Sequence, residues 1–176
     1  MSAKSKGYLR HVALSVPDPW ETAEFYKQTI GLEEVAELDG PLAEGVFLTD
    51  GVVNLAILHF KSDEAAHGPP ASFQGIHHIG FWVDDVIQSG KQARANGARW
   101  IMGDPDNPDG YEVKHNDLDG IIFDIAAHGW AGSQKRPGEA ENEVHMNPHR
   151  RLAKFDERRE AARKKIEAKR MADAAA

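Results

Sequence analysis

The stretch that decides the fold is HHIGFWVDD at residues 77–85, because it repeats a segment found earlier in the chain. Placed over RHVALSVPD at residues 10–18, it matches His78 with His11 at an offset of 67 residues. Both segments alternate, are rich in β-forming residues and end at an acidic helix-start signal. Each segment therefore predicts a β-strand that is followed by a helix.

A second pair of segments matches further along the chain. The run that begins Asp50-Gly51 lies over the run that begins Asp119-Gly120 at an offset of 69 residues. Two matches at nearly the same offset, separated by a helical pattern, indicate an internal duplication. Each copy has the order strand, helix and three strands, so the sequence predicts an α+β fold of two βαβββ modules at about residues 8–60 and 76–128.

Composition predicts one globular domain. The chain has 176 residues, of which 41% are hydrophobic, enough for a substantial core. It has no cysteine, which excludes disulfides, thiolate nucleophiles and zinc–thiolate sites. We find neither a signal-peptide pattern nor an apolar run of membrane-spanning length. A cytoplasmic location with no membrane partner is therefore expected.

Charge divides the chain into two parts. Residues 1–134 hold 9 basic and 20 acidic side chains, a net charge of −11, whereas residues 135–176 hold 12 and 8, a net charge of +4. The acidic body argues against binding to nucleic acid. We therefore assign residues 1–134 to the two-module domain and residues 135–176 to a charged helical tail.

The tail predicts a long helix over residues 148–172. Four apolar side chains keep to one side of this helix: Leu152, Phe155, Ala162 and Ile166. They are too few to form a self-sufficient coiled coil. Its positive charge suits docking on an acidic neighbour. We expect a homodimer in which the helix packs on the partner subunit, or on its own domain near the concave face of the sheet. A free, solvated helix is the alternative.

Strand alternation predicts which side chains share a face of the sheet. The apolar residues of each strand should pack on the helices, which leaves His11, His78 and Asp124 on the opposite face. If the two modules close one curved sheet, these three side chains can converge. Two imidazoles and a carboxylate suit a divalent metal ion, and three protein ligands leave positions open for water or substrate.

These residues resemble the vicinal oxygen chelate superfamily of glyoxalases, extradiol dioxygenases, methylmalonyl-CoA epimerases, and fosfomycin and bleomycin resistance proteins. The resemblance covers about residues 8–128 and is carried by HVALSVPD at 11–18, FY at 25–26, GL at 31–32, HIGFWVDD at 78–85, and DLDG at 117–120 before Asp124. It implies a cupped mixed sheet around one metal ion, held by His11, His78 and Asp124.

Two departures from the family pattern bear on the activity. The last ligand is usually Glu, and Asp124 is one methylene shorter. Glyoxalase-like and epimerase-like members often take a fourth ligand from the first module, and the matching position here is Leu55, which cannot coordinate a metal. The resulting two-histidine, one-carboxylate face is the one seen in extradiol dioxygenases, although Lys114 stands where their signature has a tyrosine.

We therefore favour an Fe²⁺-dependent, ring-cleaving dioxygenase whose small substrate chelates the metal through adjacent oxygens. A glyoxalase- or epimerase-type lyase or isomerase with a non-redox divalent metal is the first alternative. Mn²⁺, Zn²⁺, Ni²⁺ and Co²⁺ are all open as the metal. A metal-free binding or resistance protein is the second alternative, and the ligand-type residues argue against it.

Six further residues are candidates for proton transfer or for the substrate pocket: His59, His115, His128, Ser15, Trp82 and Lys114. Histidine as a residue type titrates near neutrality and suits acid–base catalysis, although a surface or core role is as common for such residues. Lys114 would meet an anionic substrate oxygen. His77 is expected to point away from the cup that His78 enters.

Overall fold

The structure, a computed structural model, describes residues 5–107, 112–135 and 151–174. The first module comprises β1 (Gly7–Ser15), α1 (Pro19–Ile30), β2 (Glu33–Asp39), β3 (Ala43–Thr49) and β4 (Asn54–Phe60). The second comprises β5 (Gly75–Val83), α3 (Val86–Ala95), β6 (Arg99–Met102), β7 (Val113–Asn116) and β8 (Ile122–Ala126). A short helix, α2 (Asp63–Ala66), lies between the two modules, and a 3₁₀ turn, Ala153–Phe155, leads into α4 (Asp156–Ala174).

All eight strands form one open, curved sheet in the order β2-β3-β4-β1-β5-β8-β7-β6. Strands β1 and β5 pair antiparallel at the centre, where the two modules meet. Within the modules, β1 pairs with β4 and β5 pairs with β8, both in parallel. The predicted α+β fold of two βαβββ modules is confirmed.

The acidic signal after each central strand starts a helix. The Asp18 carboxylate caps α1 by accepting hydrogen bonds from the backbone N–H groups of Trp20 and Glu21 at 3.0 and 3.1 Å. Asp85 caps α3 in the same way, through the N–H of Gln88 at 2.8 Å. Gly31 ends α1 with φ of 74°, a left-handed conformation that glycine adopts without strain. The duplication therefore extends to the capping of the helices.

Alternate residues of the first module face two different apolar clusters. Leu48 and Ile57 pack with Trp20 of α1 on the helical face. Their neighbours Phe47 and Ala56 belong to a cluster on the opposite, concave face. This concave face, which we call the cup, is the one that holds the predicted ligands.

The tail docks on its own domain. Phe155 and Ala162 are buried in the same cluster as Trp20, and the Phe155 and Trp20 rings lie 4.3 Å apart between centroids. Glu37 of β2 receives hydrogen bonds from the Leu152 N–H at 2.7 Å and from Arg159. Docking on the same chain was one of the two predicted arrangements, but most of α4 lies on the helical layer along α1. The predicted first residues of the tail helix, 148–150, lie outside the described residues.

None of the helices that the structure describes is both long and apolar enough to cross a membrane.

Candidate metal centre

Three adjacent strands bring the predicted ligands together. His11 comes from β1, His78 from β5 and Asp124 from β8, and one ligand atom of each lies within 4.8 Å of the others. The Nε2 atoms of the two histidines are 3.1 Å apart, and Asp124 Oδ2 is 3.3 Å from His78 Nε2. All three side chains are buried. The predicted convergence of these side chains is therefore present in the structure.

Gly80 makes room at the centre of this group. It lies opposite His11 in one ladder and opposite Asp124 in the next. A Cβ atom on Gly80 would come within 2.8 Å of the His11 Cβ and within 2.9 Å of the Trp130 ring. Without that atom, Trp130 stacks on the His11 imidazole at 4.8 Å with an interplanar angle of 10°. Sequence reasoning missed Trp130 because it lies beyond the last strand of the repeat.

A hydrogen-bonded pair of side chains fixes the tautomer of His11. Asn54 donates from Nδ2 to the Ala131 carbonyl at 2.7 Å, which leaves its Oδ1 to accept. That oxygen lies 2.7 Å from His11 Nδ1, so Nδ1 carries the proton. The Nε2 lone pair of His11 therefore points towards His78.

A β-bulge places His77 in the cup as well. Ala13 lies opposite His78 and Leu14 opposite Ile76, so His77 is an extra residue in β5. A bulge breaks the alternation of side chains, and both histidines line the same cavity. The prediction that His77 points away from the cup was wrong, because alternation assumes an uninterrupted ladder.

The charge states of the two ligand histidines suit metal binding. Burial lowers the pKa of His11 to about 4, against the opposing effects of Glu112 and Asn54. Burial also lowers the pKa of His78 well below its ordinary value, and the Lys114 ammonium adds to this shift. Both imidazoles are therefore neutral at pH 7, with lone pairs available for a metal ion.

Two carboxylates share one ammonium group beside the histidines. Lys114 Nζ donates to Asp124 Oδ2 at 2.6 Å and to Glu112 Oε2 at 3.0 Å. Burial raises the pKa of Asp124 well above its ordinary value, although Lys114 opposes this rise. Burial acts to lower the pKa of Lys114, but the two carboxylates outweigh it and raise that pKa, so the ammonium stays charged. When Asp124 is ionised, as metal coordination requires, the two carboxylates carry one negative charge more than Lys114 balances.

Three features of the site fit a divalent cation. The Nε2 lone pair of His11 faces the Nε2 atom of His78 at 3.1 Å. Asp124 Oδ1 is buried and has no hydrogen-bond partner among the described residues, and leaving a buried acceptor unpaired is costly. A divalent cation held by His11, His78 and Asp124 would satisfy these atoms, more than offset the negative charge and keep Asp124 ionised despite its burial.

The first module has no fourth ligand at the equivalent position. Gly80, two residues after His78, pairs with Asp124, and Ala13, two residues after His11, pairs with Ala56. The counterpart of Asp124 is therefore Ala56 and not Leu55, which packs on the helical face. A methyl group cannot coordinate a metal, so the predicted three-ligand face is unchanged.

A cavity of about 270 Å³ opens onto the site. Its wall is mostly apolar and includes Leu38, Leu42, Phe47, Leu58, Phe60 and Met102. Its polar lining includes Lys114, as predicted, and Glu112, which the sequence analysis missed. Glu112 Oε1 accepts a hydrogen bond from Trp130 Nε1 at 2.6 Å. Glu112 lies two residues before Lys114, so strand alternation, which would have placed both side chains on the same face, was the signal that could have found it.

Two of the remaining candidates lie on the helical side of the sheet. His59, a candidate for proton transfer, would have to face the cup, but the cup residues of β4 are Asn54, Ala56, Leu58 and Phe60. The His59 ring lies with Nδ1 3.3 Å from the Val16 carbonyl. His115 stacks on Phe123 at 5.5 Å beneath α3, where burial and then Arg94 lower its pKa.

The other three candidates also lie outside the lining of this cavity. Trp82 is buried with Ala126 and Trp130, and its Nε1 donates to the Ala127 carbonyl at 2.7 Å. Ser15 is buried at the end of β1, and His128 lies in the bend after β8. The structure therefore brings Lys114, of the six further candidates, to the cavity beside the three ligand candidates.

Known proteins match the chain in sequence. The profile of the Glyoxalase/Bleomycin resistance protein/Dioxygenase superfamily matches residues 8–125. An ethylmalonyl-CoA/methylmalonyl-CoA epimerase of Cereibacter sphaeroides is 34% identical over 109 residues, which cover 56% of this chain and 78% of the epimerase.

Two solved structures share the fold. A methylmalonyl-CoA epimerase in complex with methylmalonyl-CoA and NH₄⁺ has a TM-score of 0.55 and 20% identity, over 69% of this chain and 95% of that chain. A hypothetical protein from Bacillus halodurans C-125 has a TM-score of 0.58 and 21% identity, over 78% of this chain and 99% of that chain. At these identities, both likenesses bear on the fold alone.

Proposed function

Because the chain belongs to the Glyoxalase/Bleomycin resistance protein/Dioxygenase superfamily, we propose that it is a metal-dependent isomerase of the epimerase type. Its metal would be one non-redox divalent ion held by His11, His78 and Asp124. Its substrate would be a small molecule whose adjacent oxygens chelate that ion. The epimerase relative supports this reading over the dioxygenase that the sequence alone favoured.

One observation carries the proposal: a carboxylate that is not part of the ligand set lies in the same cavity as the two ligand histidines. Glu112 lines the cavity and shares Lys114 with Asp124. Burial acts to raise the pKa of Glu112, but Lys114, His11 and the Trp130 hydrogen bond outweigh it and lower that pKa. Glu112 is therefore ionised at pH 7 and able to accept a proton.

Epimerisation next to a carbonyl needs a base and a means of stabilising negative charge. A bound divalent ion would polarise the carbonyl oxygen and stabilise the charge that develops as the neighbouring proton leaves. Glu112 would take that proton from one face of the carbon, while Trp130 and Lys114 hold its carboxylate in place. Inversion then requires that a proton from solvent is added to the opposite face of the same carbon. The apolar wall of Phe47, Leu58 and Phe60 would hold the apolar part of the substrate.

Exchange of the substrate proton with solvent tests the proposal. Metal-loaded protein is incubated in D₂O with methylmalonyl-CoA, the substrate type named for the relatives, and deuterium incorporation is followed by NMR. The wild type should exchange the proton, and Glu112→Gln should be slower by about 100-fold or more while it still binds metal. Exchange at the wild-type rate in this variant would rule out Glu112 as the base. Failure of the metal-loaded wild type would contradict an epimerase for this substrate.

The open ligand face supports a second candidate, an Fe²⁺ extradiol-type dioxygenase. Two histidines and one carboxylate with open positions are typical of non-haem Fe²⁺ oxygenases, and Ala56 leaves that face without a fourth ligand. Oxygen uptake by the Fe²⁺-loaded protein with a panel of catechols separates this candidate from the epimerase. The third reading, a metal-free binding protein, requires a metal content near zero.

A homodimer in the cytoplasm is part of the proposal. An exposed apolar group at the start of β5 and β8 supports a partner subunit: Ile76, Leu118 and Ile121. Sedimentation of the full chain tests this point, and a monomeric mass at all concentrations would contradict it.

A further inference from the structure

His77 lies between the ligand candidate His78 and a backbone carbonyl. Its Nε2 is 2.8 Å from the Ala66 oxygen, and its Nδ1 is 2.7 Å from His78 Nδ1. The ring is buried and stacks on Phe60 at 4.3 Å between centroids. The proposed function gives this side chain no role.

The order of these contacts determines where the protons lie. A carbonyl oxygen only accepts, so His77 Nε2 must donate to Ala66. A neutral imidazole has one N–H group, so His77 Nδ1 is an acceptor. His78 Nδ1 must then donate to it, which leaves the lone pair of His78 on Nε2. That atom is the one that lies beside His11 and Asp124.

We infer that His77 is a positioning residue that fixes the Nδ1–H tautomer and the ring orientation of His78 for metal binding. The inference rests on the metal site of the proposed function. A ligand histidine usually donates its second N–H to a carboxylate, a carbonyl or water. In this chain, the acceptor is a second imidazole.

The bulge in β5 is what makes this arrangement possible. An uninterrupted strand would send His77 and His78 to opposite faces, and the extra residue puts both in the cup. The Ala66 carbonyl ends α2, whose N-terminus is capped by the Ser62 hydroxyl at 3.2 Å from the Ala65 N–H. The short helix between the modules therefore anchors one metal ligand, and Ala65 and Ala66 also line the cavity.

The two ligand histidines are oriented by different groups. His11 relies on the Asn54 amide, which is anchored on the Ala131 carbonyl. His78 relies on the His77 imidazole, which is anchored on the Ala66 carbonyl. Both arrangements leave the Nε2 lone pair at the metal site. A side chain that can both accept and donate is required at position 77, and glutamine meets that requirement.

Metal titration of the full chain tests the inference. The protein is purified without a His-tag, stripped with a chelator and titrated with Zn²⁺ by calorimetry. Replacing His77 with Phe keeps a ring on Phe60 but removes both nitrogens, and should weaken Zn²⁺ binding by about 10- to 100-fold. The variant His77→Gln should recover most of the affinity. The matched control His59→Phe, on the helical face, should bind Zn²⁺ as the wild type does.

Nitrogen-15 NMR of the metal-free protein gives a second readout. In the wild type, His78 should be a single Nδ1–H tautomer, and in His77→Phe it should become a mixture. Wild-type affinity together with an unchanged tautomer in His77→Phe would overturn the inference. A tautomer change in a protein whose wild type binds no metal would support the positioning role and contradict the proposed metal site. Circular dichroism of each variant confirms that it is folded.

Discussion

The two modules have the same strand order but place different chemistry in the cup. The ladders make Ala56 the counterpart of Asp124. They also make Phe47 the counterpart of Lys114, because Phe47 pairs with Ala56 and Lys114 pairs with Asp124. The first module therefore supplies one ligand candidate and an apolar wall, whereas the second supplies two ligand candidates and the charged groups. The duplication therefore gives both modules the same backbone positions, and different residues at those positions give the two halves of the site their different chemistry.

This asymmetry has a physical consequence for the substrate. An apolar wall on one side and a metal site with Lys114 and Glu112 on the other suit a molecule with a polar, chelating end and an apolar remainder. If the first module also carried a ligand at position 56, the site would close around the metal and leave less room for substrate.

The helical layers differ as well, and this difference gives the largest expected change in stability. The tail covers α1 of the first module, where Phe155 and Ala162 are buried. A chain that ends at residue 134 should stay folded, as the sequence predicts, but its free energy of unfolding should fall by about 3 kcal/mol from lost apolar burial. Urea unfolding measures the change.

Exposed ion pairs of the tail serve as the control for that truncation. Lys169→Ala, which removes a pair with Glu21, should cost less than about 1 kcal/mol. A truncated chain that is unfolded by circular dichroism at 25 °C would contradict the boundary at residue 134. A chain of unchanged stability would show that α4 contributes nothing to the core.

Acid should destabilise the second module through His77. Burial lowers its pKa to about 4 from the ordinary 6.5. Between these values the unfolded chain binds a proton that the folded chain does not, so stability present above pH 6.5 is lost as the pH falls towards 4. The pKa of Asp124 is raised, so Asp124 acts in the opposite sense and adds stability as the pH falls. A variant that changes His77 alone is therefore needed to measure its contribution.

The variant His77→Gln provides that comparison. In metal-free protein, the wild type should lose about 2 kcal/mol more than His77→Gln between pH 7.5 and pH 5. Urea unfolding of both proteins at the two pH values measures the difference. Parallel losses would mean that His77 is not held neutral by its surroundings.

Gly80 and Ala13 are counterparts that should respond differently to their exchange. A Cβ on Gly80 would meet His11 and Trp130, so Gly80→Ala should cost at least about 1 kcal/mol and displace Trp130 from His11. Ala13→Gly increases the backbone freedom of the unfolded chain and removes a small buried methyl group. It should lower the free energy of unfolding by about 1 kcal/mol and leave the stacking of Trp130 on His11 unchanged. Tryptophan fluorescence with thermal unfolding separates them. Equal fluorescence changes in both variants would contradict the role given to Gly80.

The sequence predicted the fold and the converging ligands because a duplicated pattern constrains both. Its errors have one main cause, since a shift of one residue reverses the facing of a strand. The second sequence match used an offset of 69 residues, one more than the 68 that separate Ala56 from its counterpart Asp124 in the ladders. This error moved the fourth-ligand position from Ala56 to Leu55 and His59 to the wrong face. The bulge at His77 leaves no mark in an alternating pattern. Glu112 was overlooked although it lies two residues before Lys114, where alternation places both side chains on one face.

Metal content tests the central claim most directly. Full-length protein purified without a His-tag, loaded with Zn²⁺ and freed of excess ion, is measured by elemental analysis beside Asp124→Asn and Ala56→Gly. The account predicts one Zn²⁺ ion per chain in the wild type and in Ala56→Gly. Asp124→Asn should lose more than about 100-fold in affinity, a larger loss than removing a hydrogen-bond partner of a ligand would cause, and should therefore retain little metal. Wild-type binding in Asp124→Asn, or no binding in the wild type, would contradict a metal site built from His11, His78 and Asp124.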